Sequence, residues 1–192
     1  MTGRRLPNSA HVSRPWRIRE ITTDFRLEDV WRLPWAGGPG DFAHLIDTVA
    51  EYDPAQSASW PLAALFRLRW KLGEILGWDA PGTGLGDRVA TLRERLPDDL
   101  RATPGPSPRV LPFTSLYQTE DEWAIESANQ TMHGILHLGR VPAGDGGFGA
   151  QMAIYVKPNG LLGMAYMALI KPFRYLVVYP RMMREMAHRL GA

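Results

Sequence analysis

Two glutamates and two histidines hold the sequence's best acid/base chemistry. Glu122 and Glu126 lie four residues apart, and so do His133 and His137. A carboxylate beside an imidazole raises its basicity and leaves a proton carrier that works near neutrality. If Asn129-Gln130 is a two-residue hairpin loop, Ala128 pairs with Thr131, Glu126 faces His133 and Glu122 faces His137. Glu126, His133 and His137 are therefore the candidate catalytic residues. The same pairing also describes a plain surface ion pair, worth about a few tenths of a kcal/mol. The catalytic version requires that face to line a cavity. No metal is expected, because His133 and His137 sit ~13 Å apart along a strand and no HExxH run is present. With no cysteine there is no thiol nucleophile and no disulfide. Ser115 and Ser127 lack a Gly-x-Ser-x-Gly context. The Gly37-Gly38-Pro39-Gly40 run lacks the Gly-Lys-Ser/Thr of a phosphate loop and reads as a turn. No cofactor is expected.

Strands over 113–119, 122–128, 131–141 and 150–157 must position these groups. Period-two alternation assigns Trp123, Ile125, Met132, Leu136 and Met152 to the core face and leaves the Glu/His face wetter. A first strand over 21–34 bends near Glu28-Asp29. Asp41 caps a helix to about Tyr52, and Ser59 caps a second to about Trp78. The second carries Leu62, Leu65, Phe66, Leu72, Ile75 and Leu76 on its apolar side, with Arg67, Arg69 and Lys71 solvated. Residues 79–112 are rich in Pro and Gly and read as a loop crossing the surface, with one short helix near 87–95. After Pro158-Asn159-Gly160 comes one long helix to Leu190. Its stripe runs through Leu162, Tyr166, Leu169, Phe173, Leu176, Pro180, Met183, Ala187 and Leu190, and should cover the sheet. Pro172 should kink this helix, and Lys171 and Arg174 beside it suit an anionic ligand end.

Residues 1–19 read as a flexible basic arm and 20–192 as a single domain. The chain has 22 Lys+Arg against 20 Asp+Glu, a near balance that argues against a nucleic-acid partner. The arm has no apolar core, so no secretory signal is expected, and the lack of cysteine fits a cytoplasmic protein. Lys171, Pro172 and Arg174 interrupt the most apolar stretch, so no transmembrane segment is expected.

A short first strand, two helices, a hairpin sheet and a long closing helix resemble the α+β helix-grip fold of the START/Bet v 1-like (SRPBCC) superfamily. The resemblance extends to an uncharacterised bacterial branch, also found attached to short-chain-dehydrogenase-like domains. Leu65-Phe66-Arg67-Leu68-Arg69-Trp70-Lys71-Leu72-Gly73, Gly163-Met164-Ala165-Tyr166 and Ile170-Lys171-Pro172-Phe173-Arg174 carry it. The branch has an Asp-Asp-x-His-Leu-Asp-Phe type run where this chain reads Asn129-Gln130-Thr131-Met132-His133-Gly134, so no role of that run carries over. The resemblance implies a hydrophobic small molecule held between sheet and helix. Tyr117, Trp123, Met132 and Leu136 are candidate contacts from the strands, with Met152 and Tyr155. Tyr166 and Phe173 are candidates from the helix. Two functions are expected from it. One is a non-oxidative cyclase or isomerase of polyketide-like natural-product biosynthesis. The other is a non-catalytic lipid or small-molecule carrier or membrane-docking module. A homodimer is compatible with either.

Overall fold

The computed structural model describes residues 3–57, 59–75, 77, 82, 84–144 and 146–191, and only the backbone at 61, 62, 65, 69 and 72. The side chains expected of Leu62, Leu65, Arg69, Leu72, Leu76 and Trp78 therefore lie outside the description. Among the described residues six strands form one antiparallel sheet. They are β1 (Arg4–Leu6), β2 (Arg26–Gly37), β3 (Thr114–Gln118), β4 (Glu122–Ala128), β5 (Met132–Pro142) and β6 (Phe148–Pro158), in the order β1-β2-β6-β5-β4-β3. The helices are α1 (Ser9–Val12), α2 (Phe42–Ala50), α3 (Trp60–Ile75), α4 (Asp98–Arg101), α5 (Gly160–Phe173) and α6 (Tyr179–Arg189). The class is α+β, with a long C-terminal helix against the sheet.

The hairpin register differs from the expected one by two residues. Ala128 pairs with His133, Glu126 with Ile135, Ala124 with His137 and Glu122 with Gly139. The Asn129 N–H donates to Met132 O at 2.9 Å, so Gln130-Thr131 forms the tip. The Asn129 side-chain oxygen accepts from Thr131 N, Thr131 Oγ1 and Met132 N, which fixes that tip one residue later. A slip of two leaves every side chain on its predicted face.

That face is not the wetter one. Ala124, Ile135, Ala153 and Tyr155 share a dry core with Trp16, Ile18, Ile21, Leu92, Leu96 and Leu100. The residues expected to form a loose arm pair as β1 with β2 and lay Trp16 and Ile18 on the sheet. The expected surface loop contributes Leu92, Leu96 and Leu100 and a 3-10 turn over Leu92–Arg95. Gly139 makes the cover possible, because a Cβ there would stand 2.7 Å from the Trp16 ring.

The opposite face packs Trp123, Ile125, Leu138 and Met152 against α2 and α6 through Phe42, Leu45, Ile46, Tyr179 and Met183. Asp41 accepts the Gly38 N–H rather than capping α2. The bend expected near Glu28-Asp29 is a bulge between Leu27 and Asp29.

The C-terminal helix departs most from expectation. Its apolar stripe splits in two. Leu162, Leu169, Phe173 and Leu176 are 50%, 69%, 49% and 77% exposed, whereas Tyr179, Met183 and Met186 are buried. A π turn over Arg174–Val178 separates the halves. Such a turn takes one extra residue, and at about 100° per residue it rotates the downstream half by that amount. Pro172 and Pro180 bracket the turn; neither can donate to the carbonyl four residues back. The helix runs on through Pro172 and changes phase where a kink was expected. Its start is clamped at the hairpin: Asn159 N–H donates to Thr131 O at 2.8 Å, and a Cβ on Gly163 would sit 2.1 Å from that same oxygen.

Candidate functional site

The Glu/His face holds two stations of the same design. In the first, Glu122 accepts the backbone N–H of Arg17 at 2.8 Å and of Ile18 at 3.2 Å, the Tyr117 hydroxyl at 2.8 Å and His137 Nε2–H at 3.0 Å. Arg17 and Ile18 open the 3-10 turn Arg17–Glu20, whose first N–H groups have no partner within the turn. In the second, Glu126 accepts the Thr91 hydroxyl, the Leu92 N–H at 3.1 Å and His133 Nε2–H at 2.8 Å. Leu92 opens the other 3-10 turn. Each carboxylate thus caps a turn of the covering layer from the sheet beneath it, and each histidine steadies one carboxylate.

The pairing predicted from sequence therefore exists, reached on the diagonal rather than straight across. Glu122, Glu126, His133 and His137 are all buried. Aromatic rings close over the imidazoles: Phe25 lies edge-on to His133 at 5.0 Å, and Trp16 to His137 at 5.3 Å. His11, which the sequence did not single out, packs at 5.1 Å from His137 and pairs with the Tyr155 hydroxyl at 2.9 Å. Burial and then His137 hold His11 down at about 3, so it is neutral. Burial alone would raise the Glu122 carboxyl; donation from His137, then from Arg17 N–H and Tyr117, outweighs it and leaves it below its ordinary value. Burial and Glu122 push Tyr117 up, and burial pushes Tyr155 up to about 12. Both carboxylates of the layer are engaged by backbone N–H groups and by side-chain donors, while His11 Nδ1 and His137 Nδ1 are buried without a partner.

The other predicted residues are not brought to one place. Tyr117 and Tyr155 belong to the Glu/His layer. Trp123, Leu136 and Met152 pack on the opposite face. Met132 is half-buried beside the hairpin tip, Tyr166 is half-buried on α5, and Phe173 is exposed there.

Sequence reasoning missed a buried carboxylate on the helix side. Asp29 accepts from Arg174 and Tyr175, and from the Tyr179 hydroxyl at 3.0 Å. It fastens the π turn to β2, and it uses Arg174, one of the two cations expected to meet a ligand. The signal was the acidic Glu28-Asp29 pair at the predicted bend, whose second member turns into the core. Glu185 similarly accepts from Tyr52 at 2.8 Å, from Ser57 and from the Ser59 N–H, which ties the approach to α3 onto α6.

Beyond these anchors lies α5. Leu161, Leu162, Met164, Leu169 and Phe173 are exposed along it, Leu176 is exposed in the π turn that follows, and Leu68 and Ile75 are exposed on α3. Among the described residues Gly160–Arg189 is the one helical run long and apolar enough to cross a membrane, yet 11% of its most apolar window is buried. A helix apolar on so many sides is ordinarily enclosed by protein or lipid.

No curated protein and no solved structure matches the chain. A family match spans residues 21–181, which takes in both Glu–His pairs, Asp29, the π turn and α5. The chain belongs to the family described as "Protein of unknown function (DUF2867)".

Proposed function

We propose that this protein is a non-catalytic module of helix-grip type that docks at a lipid bilayer through α5. The observation that carries the reading is the exposed apolar arc of that helix, from Leu161 to Phe173, continued by Leu176 in the π turn. Surface patches of that kind mark a site where something apolar is met. The geometry favours lying in the interface over crossing it. With α6 packed on the sheet, the apolar length available is that of α5, whose 14 residues reach about 21 Å at 1.5 Å each, short of a hydrocarbon core of about 30 Å. A helix lying at the headgroup boundary needs no more length than that. Both ends of α5 are tied down, at Thr131 and at Asp29, so docking would demand little ordering.

The alternative of a cyclase or isomerase acting on an enclosed hydrophobic small molecule would use Glu126 and His133. That pair is covered by Phe25 and committed to Thr91 and Leu92, so substrate would have to lift the covering layer first. Flotation with phospholipid vesicles tests the docking reading. Leu169→Asp and Leu176→Asp together should cut vesicle binding at least about tenfold, since a charge carried into the interface region is costly, with the denaturation midpoint unchanged. Undiminished flotation of the double variant would refute it.

A further inference from the structure

Beside α5 lies an open recess of about 590 Å³ at the β1–β2 edge, bordered by Arg5, Leu6, Asn8, Arg26, Glu28 and Lys171. We infer that this recess receives the phosphate headgroup of an anionic phospholipid while α5 lies in the bilayer surface. The inference rests on the docking reading above and names the lipid class it selects.

The charges are unevenly matched. Lys171 is exposed and has no ion-pair partner among the described residues. Arg26 meets Glu28 at 3.0 Å. Arg5 lies over the Tyr175 ring at 4.5 Å and stands 4.0 Å from Asp29, a carboxylate already held by Arg174, Tyr175 and Tyr179. Three cations thus share one carboxylate of their own, Glu28, while Asp29 is matched by Arg174.

Position joins this charge to the apolar arc. Lys171 is two residues from both Leu169 and Phe173 on α5 and so projects from the side of the helix opposite them. When the leucines enter the acyl boundary, Lys171 and the recess stand about one helix diameter, ~10 Å, above them, at the level of the headgroups. Phosphate suits it because arginine and lysine together offer several N–H donors and full positive charge. Each basic residue near an anionic surface contributes about fivefold in binding.

The test uses the full chain with two kinds of vesicle, phosphatidylcholine alone and phosphatidylcholine with one third phosphatidylglycerol. Binding to the anionic vesicles should be stronger and should lose that advantage at high salt. Lys171→Gln and Arg26→Gln should each weaken anionic-vesicle binding about fivefold and leave neutral-vesicle binding unchanged. Glu28→Gln should strengthen anionic binding by a similar factor, a gain that damage to the fold would not produce. Equal binding to both vesicles by all variants, still abolished by Leu169→Asp with Leu176→Asp, would overturn the headgroup site and leave α5 docking intact. No flotation with either vesicle would overturn both readings. A dimer dissolved by Leu169→Asp, with no flotation, would mean that a second copy covers α5, and would also overturn both.

Discussion

The molecule keeps charge inside and hydrocarbon outside in two adjoining regions. On one side of the sheet, two glutamates and two histidines are buried with His11, Tyr117 and Tyr155, and almost all their polar atoms are hydrogen-bonded. At its end, α5 leaves a run of leucines in solvent. The first arrangement is costly to build, since buried carboxylates are tolerated only with donors on most of their lone pairs. The second gains nothing for the isolated fold. A group that looks reactive in sequence has been turned to structural use, and a helix that looks structural has been left unused. The unsatisfied region, not the reactive-looking one, is where a partner is to be sought.

Variants can break that contrast. Glu122→Ala strands the N–H groups of Arg17 and Ile18 and two side-chain donors, so it should cost about 3–5 kcal/mol in denaturant unfolding. A loss below about 1 kcal/mol would show that the station carries little. His11 gives a pH signature. Its folded value near 3 lies below the unfolded 6.5, so the unfolded chain binds the extra proton between those limits. Stability should therefore fall as pH drops below 6.5, by about 2 kcal/mol down to pH 4.5. Glu122, held below its ordinary 4.5, adds its own loss only further down. His11→Gln should flatten the slope between pH 6.5 and 4.5; an unchanged slope would assign it elsewhere. His133→Leu should cost about 1–2 kcal/mol, more than a surface pair would, because it removes a buried donor to Glu126. The smallest effect belongs to α5: Leu169→Asp should move stability by less than about 0.5 kcal/mol, and a larger drop would mean that the helix is packed after all.

Much of the sheet was legible because alternation is a local signal. The strands, the faces and the Glu126–His133 partnership all derive from it, and they survived a register error since the slip was even. The covering layer was not legible as a cover. Trp16, Ile18 and Ile21 sit in an arginine-rich stretch, and Leu92, Leu96 and Leu100 sit between prolines and glycines, so neither segment has strong periodicity. The spacing of those three leucines was a readable hint. The outward turn of α5 was hidden for another reason: its stripe is continuous in the sequence, and only the π turn divides it.

That turn lets one helical axis carry two faces. It stores one surplus residue between two halves that each obey ordinary helical spacing. Phe173 and Met183 are ten positions apart; discounting the surplus one leaves nine, about 180° round the helix, so exposed leucines and buried methionines look in opposite directions. Regular α spacing with the residue retained would swing the two halves by about 100° and draw the faces together. Deleting one residue among 174–178 would instead straighten the helix and leave both faces where they are.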